Sequence, residues 1–239
     1  PKEILPKVTP NTYDFGETNL FDVGPIKING MAGDQQAANI GQACFKKSQS
    51  KSTYGTGCFI LTNIGRKFKL SKNNLLTTVA YKIGNEKIYC FEGTIFVAGS
   101  AIQWLRDNLL LFKRSKETNL LYISANPNEN IVVIPALTGL GAPYWKPSVR
   151  GGILGLTRNT SIADIVKATL DSIGFQTGSL LKCIQKDSKT TINELRVDGG
   201  MIENDNFMQS LANILQIKIN IPDNRETTAL GAAYLAAIG

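Results

Sequence analysis

Residues 195–200 read Leu-Arg-Val-Asp-Gly-Gly, and the residues after them place Phe207, Met208, Leu211, Ile214 and Leu215 at helical spacing. Leu195 to Val197 are a strand, and the segment is therefore strand, Asp-Gly-Gly, helix. Glycines at such a junction let the backbone come close to a bound nucleotide. The N-terminus of the helix that follows presents unpaired N–H groups, which suit a phosphate or the edge of a ribose. The chain contains no G-x-x-x-x-G-K-[ST] run and no G-x-G-x-x-G run, so this is neither a Walker loop nor a dinucleotide fingerprint.

Two earlier stretches share this character. Tyr54-Gly55-Thr56-Gly57 is a tight turn ahead of the apolar strand Cys58 to Thr62. Its backbone can approach an anion, although an ordinary hairpin turn has the same composition. Gly30 to Gln36, GMAGDQQ, sets Asp34 ahead of the small residues Ala37 and Ala38. Asp34 reads as the N-cap of a helix running to about Cys44. Beside the positive end of a helix dipole a carboxylate stays ionised, and at a cleft it can take a proton from an alcohol.

The rest of the chain supplies a frame. Residues 1–29 read as loops and short strands. Residues 46–52, KKSQSKS, read as a polar linker. Thr77 to Ile83 and Ile88 to Phe91 alternate around Gly84-Asn85 as a hairpin. A helix carries Ile102, Leu105, Leu109 and Phe112, and a polar excursion spans 115–130. A short strand at 131–134 precedes the rigid loop Gly139 to Pro147. A long amphipathic helix runs from Ile162 to Ile184. A strand at 217–221 and a small-residue helix at 228–238, with Gly231 set for close packing, end the chain.

Composition narrows the chemistry. The 239 residues suit one large domain, or one domain and part of another. The absence of histidine removes Ser-His-Asp and Cys-His catalysis and His-ligated metals. The four cysteines are scattered and form no C-x-x-C pair, as expected for buried, reduced thiols in a cytoplasmic protein. A net charge of +7 without interleaved aromatics reads as a solvated lysine-rich surface, with no nucleic-acid partner. No apolar run approaches a membrane span, and Pro1 to Pro10 has no signal-peptide core.

A Gly-Thr-Gly turn before a strand and a later Asp-Gly-Gly loop resemble the actin-like ATPase and sugar-kinase superfamily. Its members are α/β proteins that hold a nucleotide between two ribonuclease-H-like domains. Within it, the chain resembles the FGGY carbohydrate kinases, and among them the branch that phosphorylates glycerol. The matching segments are GMAGDQQAA (30–38), STYGTGCF (52–59), EGTIFVAGSAIQWLRDNL (92–109), TGLGAPYW (138–145), RVDGGMIEN (196–204) and ETTALGAAYLA (226–236). Gly151 to Asp171 also fits the family's C-terminal signature.

The resemblance implies ATP and Mg²⁺ as cofactors and glycerol as acceptor. It implies that Asp34 is the catalytic base and binds glycerol together with Gln35 and Phe59. It assigns Gly55 and Thr56 to the β- and γ-phosphates. Gly99 and Gln103 become nucleotide contacts, and Gly200, Met201 and Asn204 contacts to the adenosine. No metal ligand is assigned within the chain. Residues 1–45 are expected to be the tail of the family's N-terminal domain with its crossing helix, 46–52 a linker, and 53–239 the C-terminal nucleotide-binding domain, truncated at its end. The first phosphate loop, the Mg²⁺-associated aspartate and most of the glycerol clamp then belong to an N-terminal half. That half, or another copy of this chain, is the expected protein partner. The alternative is a non-catalytic nucleotide-binding fragment of a split or decaying gene. Glu203 and Asp205, beside Asn204, and Lys146 depart from the family's usual residues, and residues 19–25 replace a regulatory loop of some bacterial relatives.

Overall fold

The computed structural model describes residues 1–239. In chain order, β1 (Glu17–Thr18) and β2 (Ile26–Lys27) pair antiparallel ahead of helix α1 (Asp34–Gly41). Strands β3 (Ser50–Tyr54), β4 (Cys58–Gly65), β5 (Leu76–Ile83) and β6 (Glu86–Ile95) follow, then α2 (Gly99–Asp107) and α3 (Glu117–Ser124). A small ribbon of β7 (Val132–Ile134) and β8 (Gly152–Leu154) precedes the long helix α4 (Ile162–Ser188). The chain ends with β9 (Glu194–Asp198), α5 (Asp205–Leu215), β10 (Lys218–Asn220) and α6 (Thr227–Ile238).

The main sheet has the order β10-β9-β3-β4-β6-β5. Strands β10, β9 and β3 are parallel, while β3–β4, β4–β6 and β6–β5 pair antiparallel, with β3–β4 and β5–β6 as hairpins. Helices cover both faces, and the period-2 alternation of a strand divides the residues between them. Cys58 and Ile60 on β4 join Phe91, Leu180 and Val197 in the core beneath α4 and α5. Leu61, the next residue along, joins Ile40, Cys90 and Leu235 on the opposite face, beneath α1 and α6. Ser161 caps α4 with a reciprocal bond to Asp164, which fixes the start of the longest element.

Four expectations change. Residues 46–52 are not a linker throughout, because Ser50 begins a strand in the middle of the sheet. Its polar side chains are paired: Ser50 with the Thr62 hydroxyl at 2.8 Å and Ser52 with the Cys58 thiol at 3.1 Å. The polar excursion holds α3, whose Leu121 and Tyr122 pack on the main core. Helix α2 ends at Asp107, so Leu109 and Phe112 lie beyond it; Leu110 there takes a left-handed conformation (φ 54°). Gly33 is the N-cap of α1, with Asp34 in the first turn, and the helix stops at Gly41.

Helices α1 and α6 touch backbone to backbone. A Cβ on Gly231 would lie 1.8 Å from the Ala37 carbonyl oxygen, and one on Gly41 would lie 1.9 Å from that of Thr227. The Gly231 expectation of close packing is met, with Gly41 as its counterpart. Cys44, Cys58 and Cys90 are buried free thiols, and burial pushes each up to about 12.

Asn39, on the buried side of α1, is fully enclosed, and neither its amide nitrogen nor its amide oxygen has a partner. An unsatisfied buried amide costs roughly 1–3 kcal/mol. Asn39→Leu, similar in volume, should therefore raise stability by about 1–2 kcal/mol in urea unfolding. A loss of stability would mean that the amide has a partner in solution.

Candidate active site

The parallel strands β3 and β9 end side by side, with Thr53 opposite Asp198. Beyond those ends lies a cavity of about 670 Å³. Three glycine contacts hold together the loops around it. Gly199 turns with φ 90°, and a Cβ there would strike the Tyr54 carbonyl at 2.5 Å. A Cβ on Gly99 would meet the Gly55 carbonyl oxygen at 2.6 Å, and one on Gly57 the Ile95 carbonyl oxygen at 2.7 Å. The loops after β3, β6 and β9 thus approach closely because no side chain separates them.

Hydrogen bonds lock that approach. The Gly99 N–H donates to the Gly55 carbonyl at 2.9 Å, and the Ala98 and Ser100 N–H groups both donate to the Thr56 carbonyl at 3.0 Å. Tyr54, fully buried at the end of β3, shares a 3.1 Å hydroxyl contact with Thr177 on α4. Its ring meets Phe207 on α5 edge-on at 5.5 Å. The Gly55 turn is consequently pinned to both helices beneath the sheet.

The cavity brings together Gly55, Thr56, Gly99, Gln103, Gly200, Met201 and Asn204, the positions expected to contact nucleotide. Asn204 is also structural. Its side-chain oxygen accepts the Phe207 N–H at 2.9 Å as the N-cap of α5, and its Nδ2 donates to the Thr118 hydroxyl at 3.0 Å. Sequence reading missed the far wall, where Ser115, Lys116 and Asn119 come from the approach to α3 and from α3 itself. No glycine or charge pattern marked those residues. Arg225 was missed as well; it reaches the rim and pairs with Glu203 at 3.5 Å.

Asp34, Gln35 and Phe59 lie outside that cavity, grouped around β3 on the α1 side. Asp34 is exposed, and both of its carboxylate oxygens take hydrogens from Gln35, Oδ1 from the backbone N–H at 2.7 Å and Oδ2 from Nε2 at 3.3 Å. The Gln35 Oε1 accepts from the buried Lys51 ammonium, which also donates to Thr53 at 2.9 Å. Phe59 is half-buried on β4, opposite Thr53 in the register. One strand therefore carries Lys51 and Thr53 and, two residues past Thr53, the glycine turn of the cavity.

Beneath both groups, Asp198 is buried and accepts from Gln42 Nε2 at 2.9 Å and from the Thr227 hydroxyl at 2.7 Å. It ties β9 to the end of α1 and the start of α6. Arg196 donates to the carbonyls of Gln42 and Ala43, closing the C-terminus of α1. Among the described residues no group of three or more His, Cys, Asp or Glu is placed to hold a metal ion.

The six-stranded mixed sheet with helices on both faces is an α/β fold, the class implied by the sequence resemblance. The family described as the FGGY family of carbohydrate kinases, C-terminal domain, matches residues 51–239. The chain belongs to the FGGY family of carbohydrate kinases. Among curated relatives, the glycerol kinase of Rhizobium meliloti is 51% identical over 240 residues, covering 99% of this chain and 48% of its own length. The glycerol kinase of Streptococcus gordonii is 49% identical, covering 100% of this chain and 48% of its own. This FGGY chain spans about half the length of the curated relatives it matches.

A solved structure of Plasmodium falciparum glycerol kinase with ADP superposes with a TM-score of 0.89 at 37% identity, over 99% of this chain and 48% of the other. A Brucella ovis xylulose kinase superposes with a TM-score of 0.85 at 20% identity, which shows the shared FGGY fold. The chain is thus an α/β member of the actin-like, ribonuclease-H-like superfamily. No helix is long and apolar enough to cross a membrane among the described residues.

Proposed function

We propose that this chain is the C-terminal part of an ATP-dependent glycerol kinase. The observation that carries the reading is the cavity itself: the glycine turns after β3, β6 and β9 converge on one space at the ends of parallel strands. Its size is that of a small-molecule site, and its walls combine backbone, amide and charged groups with apolar Ile102 and Leu170. Identity of about half to glycerol kinases over nearly the whole chain supports glycerol as the acceptor.

In this reading the β- and γ-phosphates lie against Gly55 and Thr56, and the adenosine runs past Gly200, Met201 and Asn204. Asp34 accepts the proton of a primary glycerol hydroxyl. The oxygen forms a bond to the γ-phosphorus as the bond to the bridging oxygen breaks, and its electrons leave with ADP. Phe59 packs on the glycerol carbons. Mg²⁺ would bring charge neutralisation to the phosphates; among the described residues no group of three or more His, Cys, Asp or Glu is placed to hold it. Residues 1–45 serve as the tail of the N-terminal domain and the sheet from β3 onward as the C-terminal domain. The protein partner is the half that the relatives carry in addition. The reaction belongs in the cytoplasm, where ATP is supplied.

The test is an amide NMR titration of the chain with MgADP. Shifts should concentrate at Gly55, Thr56, Gly99, Gln103 and Gly200. A nucleotide that shifts none of them at millimolar concentration would remove the reading. Glu203 refines it. Its carboxylate is exposed and faces Arg225 across 3.5 Å, so its charge is partly neutralised. Glu203→Ala frees Arg225 for the nucleotide and should tighten ATP by on the order of 1 kcal/mol or less. Weaker binding by calorimetry would show that Glu203 itself makes a favourable contact.

A further inference from the structure

Lys51 lies in the middle of the sheet, and neither the cavity nor the assigned roles use its chemistry. It is fully buried on β3, yet among the described residues no carboxylate lies within ion-pair distance of it. A buried ammonium without a contacting anion is unfavourable, and replacing such a group by an apolar isostere commonly costs no stability. Its presence therefore calls for a reason beyond packing.

Its hydrogen bonds give one. Lys51 Nζ donates to Gln35 Oε1 and to the Thr53 hydroxyl. A glutamine amide can face either way, and its neighbours decide which. An ammonium has only hydrogens to offer, so it holds the oxygen of Gln35 inward and turns Nε2 outward. That nitrogen then donates to Asp34 Oδ2, while the Gln35 backbone N–H holds Oδ1. Without Lys51 the amide is free to turn its oxygen toward the aspartate, and two acceptors would face each other.

Burial lowers the Lys51 pKa, and the carboxylates of Asp198 on β9 and Asp34 on α1 oppose this; Cys58 and Cys44, also nearby, are neutral thiols. Glu92 on β6 also faces it; burial raises the Glu92 pKa, and Lys51 pulls it back down.

We propose that Lys51 is a positioning residue for Asp34, acting through the side-chain amide of Gln35. The inference rests on Asp34 as the base, and it adds a residue to which nothing above assigns a role. The link also ties the aspartate to the strand that carries the Gly55 turn, so base and phosphate loop share one rigid element.

The first test uses the chain itself. The Lys51 ammonium should give a slowly exchanging ¹⁵N signal with contacts to the Gln35 side chain. The Gln35 amide protons should be separated and slowed in exchange. In Lys51→Met they should move to the values of a free glutamine. A Gln35 amide that is unchanged by Lys51→Met, or no Lys51–Gln35 contact in the unmodified chain, would overturn the proposal. The second test uses a fusion of this chain to the first half of the Rhizobium meliloti glycerol kinase. Lys51→Met should lower kcat by about 10–100-fold with the KM for ATP unchanged, as a small misplacement of a reacting group does. In an Asp34→Asn background it should add less than threefold. An equal loss in both backgrounds would show a merely structural lysine. If Asp34→Asn itself stays within threefold, the base assignment fails, and the Gln35 signals alone decide whether Lys51 sets the amide.

Discussion

Asp34→Asn should lower turnover of the assembled kinase by about 10²–10⁴-fold, the usual share of a general base, and leave glycerol binding within a few-fold. The substitution keeps the shape of the side chain and its acceptor for the Gln35 N–H. It removes the second acceptor that faces Gln35 Nε2 and the basicity that takes the alcohol proton. Structure should survive, because Asp34 is exposed and Gly33, not Asp34, caps the helix. The effect should therefore fall on kcat, with the melting temperature nearly unchanged. A variant within threefold of the parent would leave Asp34 as a first-turn acid that stabilises the helix through its dipole and nothing more.

Gly231→Val should destabilise the fold by about 3 kcal/mol or more, at the upper end of overpacking changes. The new Cβ would lie 1.8 Å from the Ala37 carbonyl oxygen and 2.9 Å from the Gly41 nitrogen. These are backbone atoms of a helix and cannot swing aside. Helix α1 would have to leave α6, opening the core of Ile40, Leu61 and Leu235. It would also pull Gln42 and Thr227 from the two hydrogen bonds that hold buried Asp198. Ala233→Ser, on the exposed side of the same helix, should stay within about 0.5 kcal/mol. Urea unfolding measures both. Equal midpoints for the two variants would mean that the helices do not touch at these glycines.

Much of the cavity was legible because glycine leaves a local signal. Gly55 and Gly200 belong to glycine-rich turns at strand ends, which a single sequence shows directly, whereas Gly99 is placed by the family resemblance; a Cβ on it would meet the Gly55 carbonyl oxygen at 2.6 Å. Alternation also located the β5–β6 hairpin, and the apolar run Cys58 to Thr62 located β4. What stayed hidden depends on partners distant in sequence. Ser50 to Ser52 look like a polar break until Thr62 and Cys58 are seen to satisfy them across β4. Lys51 and Thr53 do alternate, but a strand-borne lysine reads as solvent-facing unless the covering helix is known. Helix α3 was lost because its apolar run, Leu120 to Ile123, is only four residues long within a polar segment, and Leu120 and Ile123 stay exposed while Leu121 and Tyr122 pack on the core. Asn119 and Asn206 bridge that contact at 2.6 Å.

In the proposed function this chain supplies the base and one wall of a nucleotide cleft whose other wall lies in the half carried by its relatives. One wall cannot hold donor and acceptor in line, and well-oriented reactants account for roughly 7–11 kcal/mol of such a barrier. The most direct measurement is a coupled assay with saturating MgATP and glycerol. It is run on this chain alone, on the first half of the Rhizobium meliloti glycerol kinase alone, and on the two joined in one polypeptide. The account predicts glycerol phosphorylation by the joined protein only, abolished by Asp34→Asn. Robust turnover by this chain alone, or a folded joined protein that binds ATP and glycerol without turnover, would contradict it.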